Sequence, residues 1–375
     1  MIQKYNSHIL FIAPFPPPVH GSAIVSQQIR DSQVINDAFR CYFVNLSTSR
    51  RMDEIGKRSA AKLWRMASAF LKTFWLLLTH RYSLCYLAIT CHGGGFLKDA
   101  PFVLLCKLFR RKIIIHQHNK GMAADVNRKP YKWLLPMVYK NAKVILLSWH
   151  LYPDIEKIVL KENVMICPNG IKVENPGQMV ERKAENNVPH LLFLSNLIES
   201  KGVFVLLDAL KILADKGLLF YCDFVGGETG EIDNEKFTLE VNRRNLGRQA
   251  IYHGRKYGAE KERYFTDADI FVFPTYYGNE CFPLVLLEAM QHGMPCITTN
   301  EGGIPDVVQD GINGIICERK TAESLAAAIE KLLLNPELRK QMGQKGFEIF
   351  KEKFTLDKFE SNLCECLKKA VNMQF

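Results

Sequence analysis

The sequence predicts an α/β protein with two doubly wound parallel sheets, one after the other along the chain. Three observations lead to this prediction. The chain has 375 residues, a length that suits two domains. Short apolar runs alternate with helical stretches, and a polar stretch interrupts this alternation near the middle. The composition is that of a globular protein, with 47% hydrophobic and 23% charged residues.

Apolar runs of strand length form two series of six. The first series is His8–Ala13, Cys41–Leu46, Leu84–Ile89, Lys112–His116, Lys143–Ser148 and Val164–Cys167. The second series is His190–Ser195, Phe220–Val225, Ile251–Gly254, Ile270–Phe273, Pro295–Thr298 and Gly314–Cys317. Because helical stretches separate the runs, each series predicts a Rossmann-like domain built on a parallel sheet.

The polar stretch covers residues 171–189, contains two prolines and a glycine, and has no apolar periodicity. It predicts a linker between an N-terminal domain at residues 1–172 and a C-terminal domain at residues 173–354. In doubly wound sheets, ligands bind where the carboxyl ends of strands meet helix N-termini. We therefore expect the functional residues in the loops at those edges.

The two halves of the chain differ in charge. Residues 1–180 carry 25 lysines and arginines against 10 acidic residues, and the remainder carries 24 against 29. The basic half predicts an anionic partner. Nucleic acid is disfavoured, since zinc-finger spacing and RNA-binding aromatic signatures are missing. An anionic membrane surface or a phosphate-bearing acceptor fits better.

The N-terminal residues and the cysteines predict a cytoplasmic chain. Met1–His8 is polar and lacks the cationic and apolar stretches of a secretory signal. The eleven cysteines are scattered and odd in number, and no pair has zinc-ligand spacing. Reduced, mostly buried thiols are therefore expected.

The strongest functional pattern is YYGNECFPLVLLEAM at residues 276–290. Pro283 suits the first turn of a helix, because proline lacks the N–H group that would be unpaired there. Glu280 would then precede the helix, and Glu288 would lie within it. Taken alone, the pattern also fits two solvated glutamates on an ordinary helix.

The start of this helix would form an anion site. The N–H groups of Phe282, Leu284 and Val285 lie at the positive end of the helix dipole, where no intrahelical acceptor exists. A carboxylate beside a phosphate is repulsive unless it accepts hydrogen bonds from hydroxyls. A ligand with both a phosphate and sugar hydroxyls is the natural partner.

Three motifs flank this pattern: PNGI at residues 168–171, SNLIESKG at residues 195–202 and PCITTNEGGIPDVVQDGING at residues 295–314. In this order, and with the E-x7-E pair, they resemble glycosyltransferase family 4, which belongs to the glycosyl transferases group 1. That family is retaining and has the GT-B fold, in which two Rossmann-like domains face a central cleft. The likeness covers most of residues 110–350, and the N-terminal third matches only in organisation.

The resemblance implies a donor site for a nucleotide-sugar. Glu288 would bind the ribose hydroxyls, Glu280 would lie beside the transferred sugar, and Lys201 would contact the diphosphate. Tyr257 would lie beside the nucleobase. The resemblance also implies that a C-terminal helix, at about residues 355–375, packs back on the first domain.

Two positions depart from the family pattern. Asn196 stands five residues before Lys201, where an arginine is common, so one diphosphate cation is missing. Lys172 follows PNGI where an aspartate is common. The missing cation must come from elsewhere, or the site functions without it.

The N-terminal half adds further candidates. Gly21 would let the backbone approach a diphosphate, Ser22 would cap the next helix, and His20 precedes both. This turn lacks the G-x-G-x-x-G fingerprint, which disfavours a nicotinamide dehydrogenase. In the motif IIIHQHN, His118 matches the place of a family histidine near the sugar better than His116 does. A histidine satisfied within its own loop is the alternative.

Two short patterns suggest other chemistry. Asp267 and Asp269 have the spacing of a metal-binding D-x-D motif but precede a buried strand, which favours a structural role. His92–Gly95 resembles an esterase oxyanion loop, yet the chain has no G-x-S-x-G nucleophile, so this loop is expected to shape the acceptor side.

The segment Ser59–Leu78 is apolar, but Lys62, Arg65 and Lys72 interrupt it, which disfavours a membrane span. Helical spacing places five apolar residues on one stripe: Leu63, Met66, Phe70, Phe74 and Leu77. The stripe fits either the core or contact with a membrane surface.

Together with the resemblance, these features predict a retaining glycosyltransferase that moves a sugar from a UDP- or GDP-sugar to a saccharide acceptor, lipid-linked, in surface polysaccharide or lipopolysaccharide assembly. We expect no cofactor and no metal, because Lys201 and helix N-termini would neutralise the diphosphate. In the front-side attack proposed for the family, the departing phosphate accepts the acceptor's proton. A non-transferring GT-B enzyme such as a nucleotide-sugar epimerase, and an inactive sugar-nucleotide-binding scaffold, remain as alternatives.

Overall fold

The computed structural model of the protein describes residues 7–18, 21–50, 59–174 and 188–373. The chain divides into two compact units. Unit 1 comprises residues 1–169 and 357–375, and unit 2 comprises residues 170–356. His20 and most of the expected linker lie outside the described residues.

The described part of unit 1 is built on a parallel sheet of six strands in the order β2-β1-β3-β4-β5-β6. The strands are β1 (His8–Ala13), β2 (Arg40–Asn45), β3 (Leu84–Leu87), β4 (Ile113–His116), β5 (Lys143–Leu146) and β6 (Val164–Ile166). The crossover direction reverses between β1 and β3. Doubly wound sheets bind ligands at such a switch point.

Helices cover this sheet because parallel strands are buried on both faces. They are α1 (Gly21–Asp31), α2 (Gln33–Ala38), α3 (Ala60–Thr79), α4 (Gly93–Leu108), α5 (Met122–Asp125) and α6 (Tyr131–Tyr139). Two edge-on aromatic pairs connect α3 to the α4 region. The ring centroids lie 5.5 Å apart in the pair Phe70–Phe102 and 5.7 Å apart in the pair Phe74–Phe109, where Phe109 directly follows α4. Helix α1 begins at Gly21, so Ser22 lies inside the helix, and the expectation that it caps the helix was wrong.

The described part of unit 2 contains a second six-stranded parallel sheet in the order β12-β11-β10-β7-β8-β9. The strands are β7 (His190–Leu194), β8 (Tyr221–Val225), β9 (Ala250–Tyr252), β10 (Ile270–Phe273), β11 (Cys296–Thr299) and β12 (Gly314–Cys317). The switch point lies between β7 and β10.

The helices of unit 2 follow the strands in alternation. They are α7 (Val203–Asp215), α8 (Asn234–Arg243), α9 (Gly258–Asp267), α10 (Leu284–Gln291), α11 (Ile304–Val307), α12 (Ala322–Leu333) and α13 (Pro336–Lys353). The buried core of this unit is apolar and aromatic, with Phe193, Phe224 and Phe271 among its fully buried side chains.

The last helix, α14 (Leu356–Asn372), packs within unit 1 over almost its whole length. Phe359, Leu363 and Leu367 are buried along one side of it. At its end, the Lys112 ammonium group donates to the carbonyls of Val371 and Met373, each at 2.7 Å. A lysine that meets the last carbonyls of a helix also complements the helix dipole.

The predicted fold class is confirmed. All twelve predicted strands are present, and each end lies within two residues of its prediction. At some strand ends the prediction is too long because apolar residues continue past the last ladder hydrogen bond. Ile89, for example, is buried although β3 ends at Leu87.

Candidate functional site

The candidate donor site lies where β7 and β10 end, at the switch point of unit 2. Four loops leave the sheet at this edge: residues 195–202 after β7, 226–233 after β8, 253–257 after β9 and 274–283 after β10. Most of the residues that the sequence analysis singled out in unit 2 lie in these loops or in the helices that follow them. The topology therefore gathers them at one edge of the sheet.

Lys201 and Glu280 form an ion pair across this switch point. The Lys201 Nζ donates to Glu280 Oε2 at 2.5 Å, and the Thr275 hydroxyl lies 3.4 Å from the same oxygen. The ammonium group also lies over the Tyr277 ring, 4.6 Å from its centroid. Only 15% and 10% of the two paired side chains are exposed. The lysine charge is thus compensated by a protein carboxylate.

Two glycines let the loops of this pair approach neighbouring backbone. Gly202 has φ +88°, and a Cβ there would lie 2.3 Å from the Pro274 carbonyl oxygen. Gly302 has φ +56°, and a Cβ there would lie 2.3 Å from the Glu280 carbonyl oxygen. Any side chain at either position would collide with backbone and strain φ. The Lys-Gly and Gly-Gly dipeptides of the sequence motifs therefore fix where Lys201 and Glu280 stand.

Glu288 lies in α10 and accepts a hydrogen bond from Lys261 Nζ at 2.7 Å. Burial raises the pKa of this carboxyl, and the nearby Lys261 ammonium opposes that shift. Lys261 was not predicted from the sequence. Its contact depends on how α9 and α10 pack together, which no local motif records.

The start of α10 differs from the prediction. Pro283 is the N-cap residue, with extended backbone at φ −70° and ψ 117°, and the helix begins at Leu284. Its carbonyl accepts the first bond, from Leu286 at 3.2 Å. Among the described residues, the amides of Leu284 and Val285 have no hydrogen-bond acceptor, as is usual for a first helical turn. Phe282 is buried, and its ring meets Phe354 edge-on at 5.8 Å.

Asn196 and Tyr257 occupy the outer part of this edge. The Asn196 Oδ1 accepts from the Gly227 amide at 3.3 Å, which ties the loop after β7 to the loop after β8. Tyr257 is the N-cap residue of α9 and is 63% exposed. Its side chain makes no hydrogen bond or ring contact with the residues that the structure describes.

Unit 1 holds a cavity of about 900 Å³ beside its own switch point. Ser22 of α1 lines it together with Thr90, His118 and Asn119 from loops that follow strands, and residues of α3 and α4 complete the wall. The structure therefore brings Ser22 and His118 to one cavity. Gly21 is exposed at the start of α1, and a Cβ there would meet no atom within 4 Å.

His118, which lines this cavity, has two unsatisfied ring nitrogens. Both of its ring nitrogens are buried and have no hydrogen-bond partner among the described residues. Burial lowers its pKa to about 4, so the ring is neutral at pH 7. The neighbouring His116 ring lies 4.0 Å away by centroid, and its Nδ1 lies 2.7 Å from the Tyr86 hydroxyl. Contacts within the loop therefore do not satisfy His118.

The predicted acceptor-side loop His92–Gly95 opens α4 and borders this cavity. Carboxylates and an amide hold it in place. Asp125 Oδ2 accepts from the Gly93 amide at 2.7 Å, and Asp99 Oδ2 accepts from the Thr90 amide at 3.0 Å. Asn119 Oδ1 accepts from the Cys91 amide at 2.9 Å. These three residues carried no recognisable spacing in the sequence.

The D-x-D pair has structural contacts. Asp269 Oδ2 accepts from the His190 amide at 2.9 Å, and Asp267 lies 3.4 Å from Arg263. In the part of the chain that the structure describes, no group of three His, Cys, Asp or Glu residues is arranged to hold a metal ion.

Comparisons with known proteins agree with this geometry. The profile of the family described as glycosyl transferases group 1 matches residues 178–349. The Staphylococcus aureus capsular polysaccharide biosynthesis glycosyltransferase CapM is 29% identical over 196 residues, which are 50% of this chain and 49% of CapM. The Salmonella typhimurium lipopolysaccharide 1,2-N-acetylglucosaminetransferase is 25% identical over 269 residues, 68% of this chain and 67% of the enzyme. The chain spans about half the length of curated relatives such as CapM.

Among solved structures, Anabaena HepE in complex with UDP and glucose superposes with a TM-score of 0.71. The match covers 97% of this chain and 100% of HepE, at 16% sequence identity. At this identity the likeness establishes the fold, which is the two-domain GT-B arrangement of parallel α/β sheets.

Proposed function

We propose that the chain is a retaining glycosyltransferase, and the match of residues 178–349 to the profile of the glycosyl transferases group 1 supports this proposal. It moves a sugar from a UDP- or GDP-sugar to a saccharide acceptor in the assembly of a surface polysaccharide or lipopolysaccharide. The observation that carries this proposal is the convergence of Lys201, Glu280 and the first turn of α10 at the switch point of unit 2. The names of CapM and the Salmonella enzyme support the acceptor class.

In this proposal, the diphosphate of the donor lies at the first turn of α10. The amides of Leu284 and Val285 donate to phosphate oxygens, helped by the helix dipole. Lys201 then turns from Glu280 to the diphosphate, which frees the carboxylate to accept a hydrogen bond from the transferred sugar. Glu288, farther along the same helix, accepts from the ribose hydroxyls.

The chemistry needs a stabilised leaving group rather than a strong protein base. Cationic and amide donors stabilise the departing nucleoside diphosphate, and its phosphate oxygen accepts the proton of the attacking hydroxyl. His118 is neutral at pH 7 and has both ring nitrogens unpaired, so it suits a hydrogen bond to a sugar hydroxyl. The proposal requires neither a metal nor a cofactor.

The cavity of unit 1 is the proposed acceptor site. Its wall is partly apolar, with Leu63, Met66 and Leu97, and partly polar, with Thr90 and Asn119. This mixture suits a saccharide attached to a lipid. A separate acceptor cavity also favours sugar transfer over epimerisation, which needs only one substrate.

A membrane surface is the proposed location of that acceptor. The face of α3 that carries Trp64, Leu71, Trp75 and Leu78 is exposed, with 74% of Trp64 and 62% of Trp75 accessible. Of the five-residue stripe Leu63–Leu77, Leu77 is buried and Phe70 packs on Phe102, whereas Leu63 is exposed. The core and the outer surface therefore use different sides of the helix.

The charge around this face complements anionic lipid. Residues 59–153 carry 15 lysines and arginines and only two acidic residues, Asp99 and Asp125, both of which are buried. Helix α4 contacts α3 on one side and α6 on the other, and α6 adds the exposed Trp133. No helix among the described residues is long and apolar enough to cross a bilayer. Basic residues with exposed tryptophans are typical of surfaces that bind the membrane interface.

A thermal-shift screen with UDP-, GDP- and ADP-sugars tests the donor site. A ligand that binds only the folded protein at 100 times its Kd adds about 2.7 kcal/mol to the free energy of unfolding. We expect one class of nucleotide-sugar to raise the melting temperature of the native protein. Lys201→Met and Glu288→Gln should each abolish that rise, because each removes a charged contact to the donor.

The ion pair between Lys216 and Glu330 provides the matched control. It spans 2.5 Å on the surface of the same unit, away from the four loops. Lys216→Met and Glu330→Gln should keep the full donor response. If the site variants respond to the nucleotide-sugar as the native protein does, the donor site has been placed wrongly.

A further inference from the structure

A nucleoside diphosphate brings more negative charge than Lys201 balances alone. In the structure the Lys201 ammonium is paired with Glu280, so turning it to the diphosphate leaves the charge of the Glu280 carboxylate unbalanced. Asn196, which begins the same loop, is neutral. The four loops at the carboxyl edge of the sheet must therefore provide another cation if the diphosphate is to be neutralised.

Arg255 provides a cation at this edge of the sheet. It follows β9, and its guanidinium group lies against the backbone of Gly227 in the neighbouring loop. A Cβ on Gly227 would come within 2.2 Å of Arg255 Nη2 and 2.6 Å of Nε. Since the Gly227 amide donates to Asn196 Oδ1 at 3.3 Å, the guanidinium group lies beside the loop that carries Asn196 and Lys201.

The backbone holds these loops in register. The Leu197 amide donates to the Gly227 carbonyl at 2.8 Å, and the Gly226 amide donates to the Gly254 carbonyl at 3.0 Å. The loops after β7, β8 and β9 are thus joined in a row. The backbone of the residue before Arg255 is therefore held beside the loop after β8, which is itself bonded to the loop that carries Asn196.

The charge of Arg255 is not compensated by an ion pair. In the described residues, no carboxylate lies within 4.0 Å of its guanidinium group, whereas the adjacent Lys256 lies 3.9 Å from Glu260. Glu228 and Arg255 both act on Tyr252, in opposite directions, so an acidic residue is close by but outside ion-pair distance. Arg255 is also exposed and accessible to a ligand.

We propose that Arg255 is the second diphosphate-binding cation of this enzyme, supplied by the loop after β9 in place of the neutral Asn196. The assignment rests on the proposed function, since it requires a nucleoside diphosphate at this edge. A guanidinium group presents parallel N–H donors to two phosphate oxygens, which an ammonium group does not. Gly227 is part of the site because any larger residue would displace the guanidinium group.

Isothermal titration with UDP, GDP and ADP measures this contribution. A hydrogen bond to a charged group is worth about 1.5–3 kcal/mol, so Arg255→Gln should weaken the nucleotide that binds the native protein by about 10- to 100-fold. Gly227→Ala should weaken it similarly, because the added methyl group displaces the guanidinium group. Lys256→Gln removes an equal charge from the next residue and should change the affinity by less than about threefold.

The double variant Gly227→Ala/Arg255→Gln tests whether Gly227 affects nucleotide binding through Arg255. If Gly227 acts through Arg255, the double variant binds no more weakly than Arg255→Gln alone. Full additivity of the two effects would overturn that link. Native-like affinity in Arg255→Gln would overturn the assignment of Arg255, while leaving the donor site itself intact. A native protein that binds none of the three nucleotides would instead refute the proposed function, and this inference with it.

Discussion

His118 is a half-buried histidine whose two ring nitrogens are buried and have no protein partner in the described residues. Buried polar groups are almost always hydrogen-bonded, so an unpaired histidine in the wall of a cavity indicates a place prepared for a ligand. The sequence favoured His118 over His116 only through the family motif. Its lack of partners depends on the packing of β3, β4 and the loop at residues 117–121, which the sequence does not show.

The burial of His118 also predicts a pH dependence of stability. Its pKa is about 4 in the folded protein and about 6.5 in an unfolded chain. At a pH between these two pKa values, the unfolded state binds more protons than the folded state. The contribution of His118 to the free energy of unfolding is therefore complete above about pH 6.5 and is lost as the pH falls toward 4. When the pH is lowered from 7 to 4, the free energy of unfolding of the native protein should fall by about 3 kcal/mol more than that of His118→Gln.

Urea unfolding followed by tryptophan fluorescence measures this difference. All four tryptophans, at positions 64, 75, 133 and 149, belong to unit 1, so their emission reports the unit that contains His118. His150→Gln, which changes an exposed histidine of the same unit, should keep the native pH dependence. Identical acid sensitivity in His118→Gln and the native protein would show that the ring is not held neutral by burial.

At the scale of elements, the candidate donor site depends on loops that glycine allows to come close together. The Gly-Gly turn before α11 and the loop before α10 touch through backbone: the Gly303 amide donates to the Cys281 carbonyl at 2.7 Å. The sequence showed these motifs and their order, and it placed the strands that precede them. It misplaced the start of α10 by one residue, since Pro283 suits either an N-cap or a first helical position.

Gly302→Ala should therefore damage both stability and the donor site. A left-handed backbone costs a non-glycine residue about 1–2 kcal/mol, and the Cβ would also lie 2.3 Å from the Glu280 carbonyl oxygen. We expect a loss of more than about 3 kcal/mol, together with loss of the donor-induced thermal shift.

Gly311→Ala is the control for Gly302→Ala, because it introduces backbone strain without a steric collision. Gly311 has φ +74°, but a Cβ there would meet no atom within 4 Å, so only the backbone strain of about 1–2 kcal/mol applies. This variant should keep the donor response. Equal losses in the two variants would mean that the loop of Glu280 adapts to a side chain at position 302.

At the scale of the whole molecule, the alternation of apolar runs and helices was enough to predict two six-stranded parallel sheets. Strand order and side-chain partners were not predictable, because they depend on contacts between distant segments. Lys261 meets Glu288 across 27 positions, and Arg255 meets Gly227 across 28. The sequence showed that the N-terminal half is basic, but it did not show which side of α3 is exposed. One helix carries apolar residues on both its inner and its outer face.

That outer face and its charge lead to the last prediction. Burial of an exposed tryptophan or leucine at a bilayer interface contributes on the order of 1–3 kcal/mol, and each basic residue near an anionic surface adds about 1 kcal/mol, which salt screens. The protein should therefore co-sediment with vesicles that contain phosphatidylglycerol, bind much less to phosphatidylcholine alone, and detach as salt is raised.

Trp64→Ser/Trp75→Ser should weaken binding at least about tenfold, because both side chains lie on the outer face of α3. Leu219→Ser/Leu239→Ser, which removes two exposed apolar side chains from unit 2, should bind as the native protein does. If the tryptophan variant binds equally well, or if the native protein stays in the supernatant with anionic vesicles at low salt, the membrane proposal fails and a water-soluble acceptor replaces the lipid-linked one.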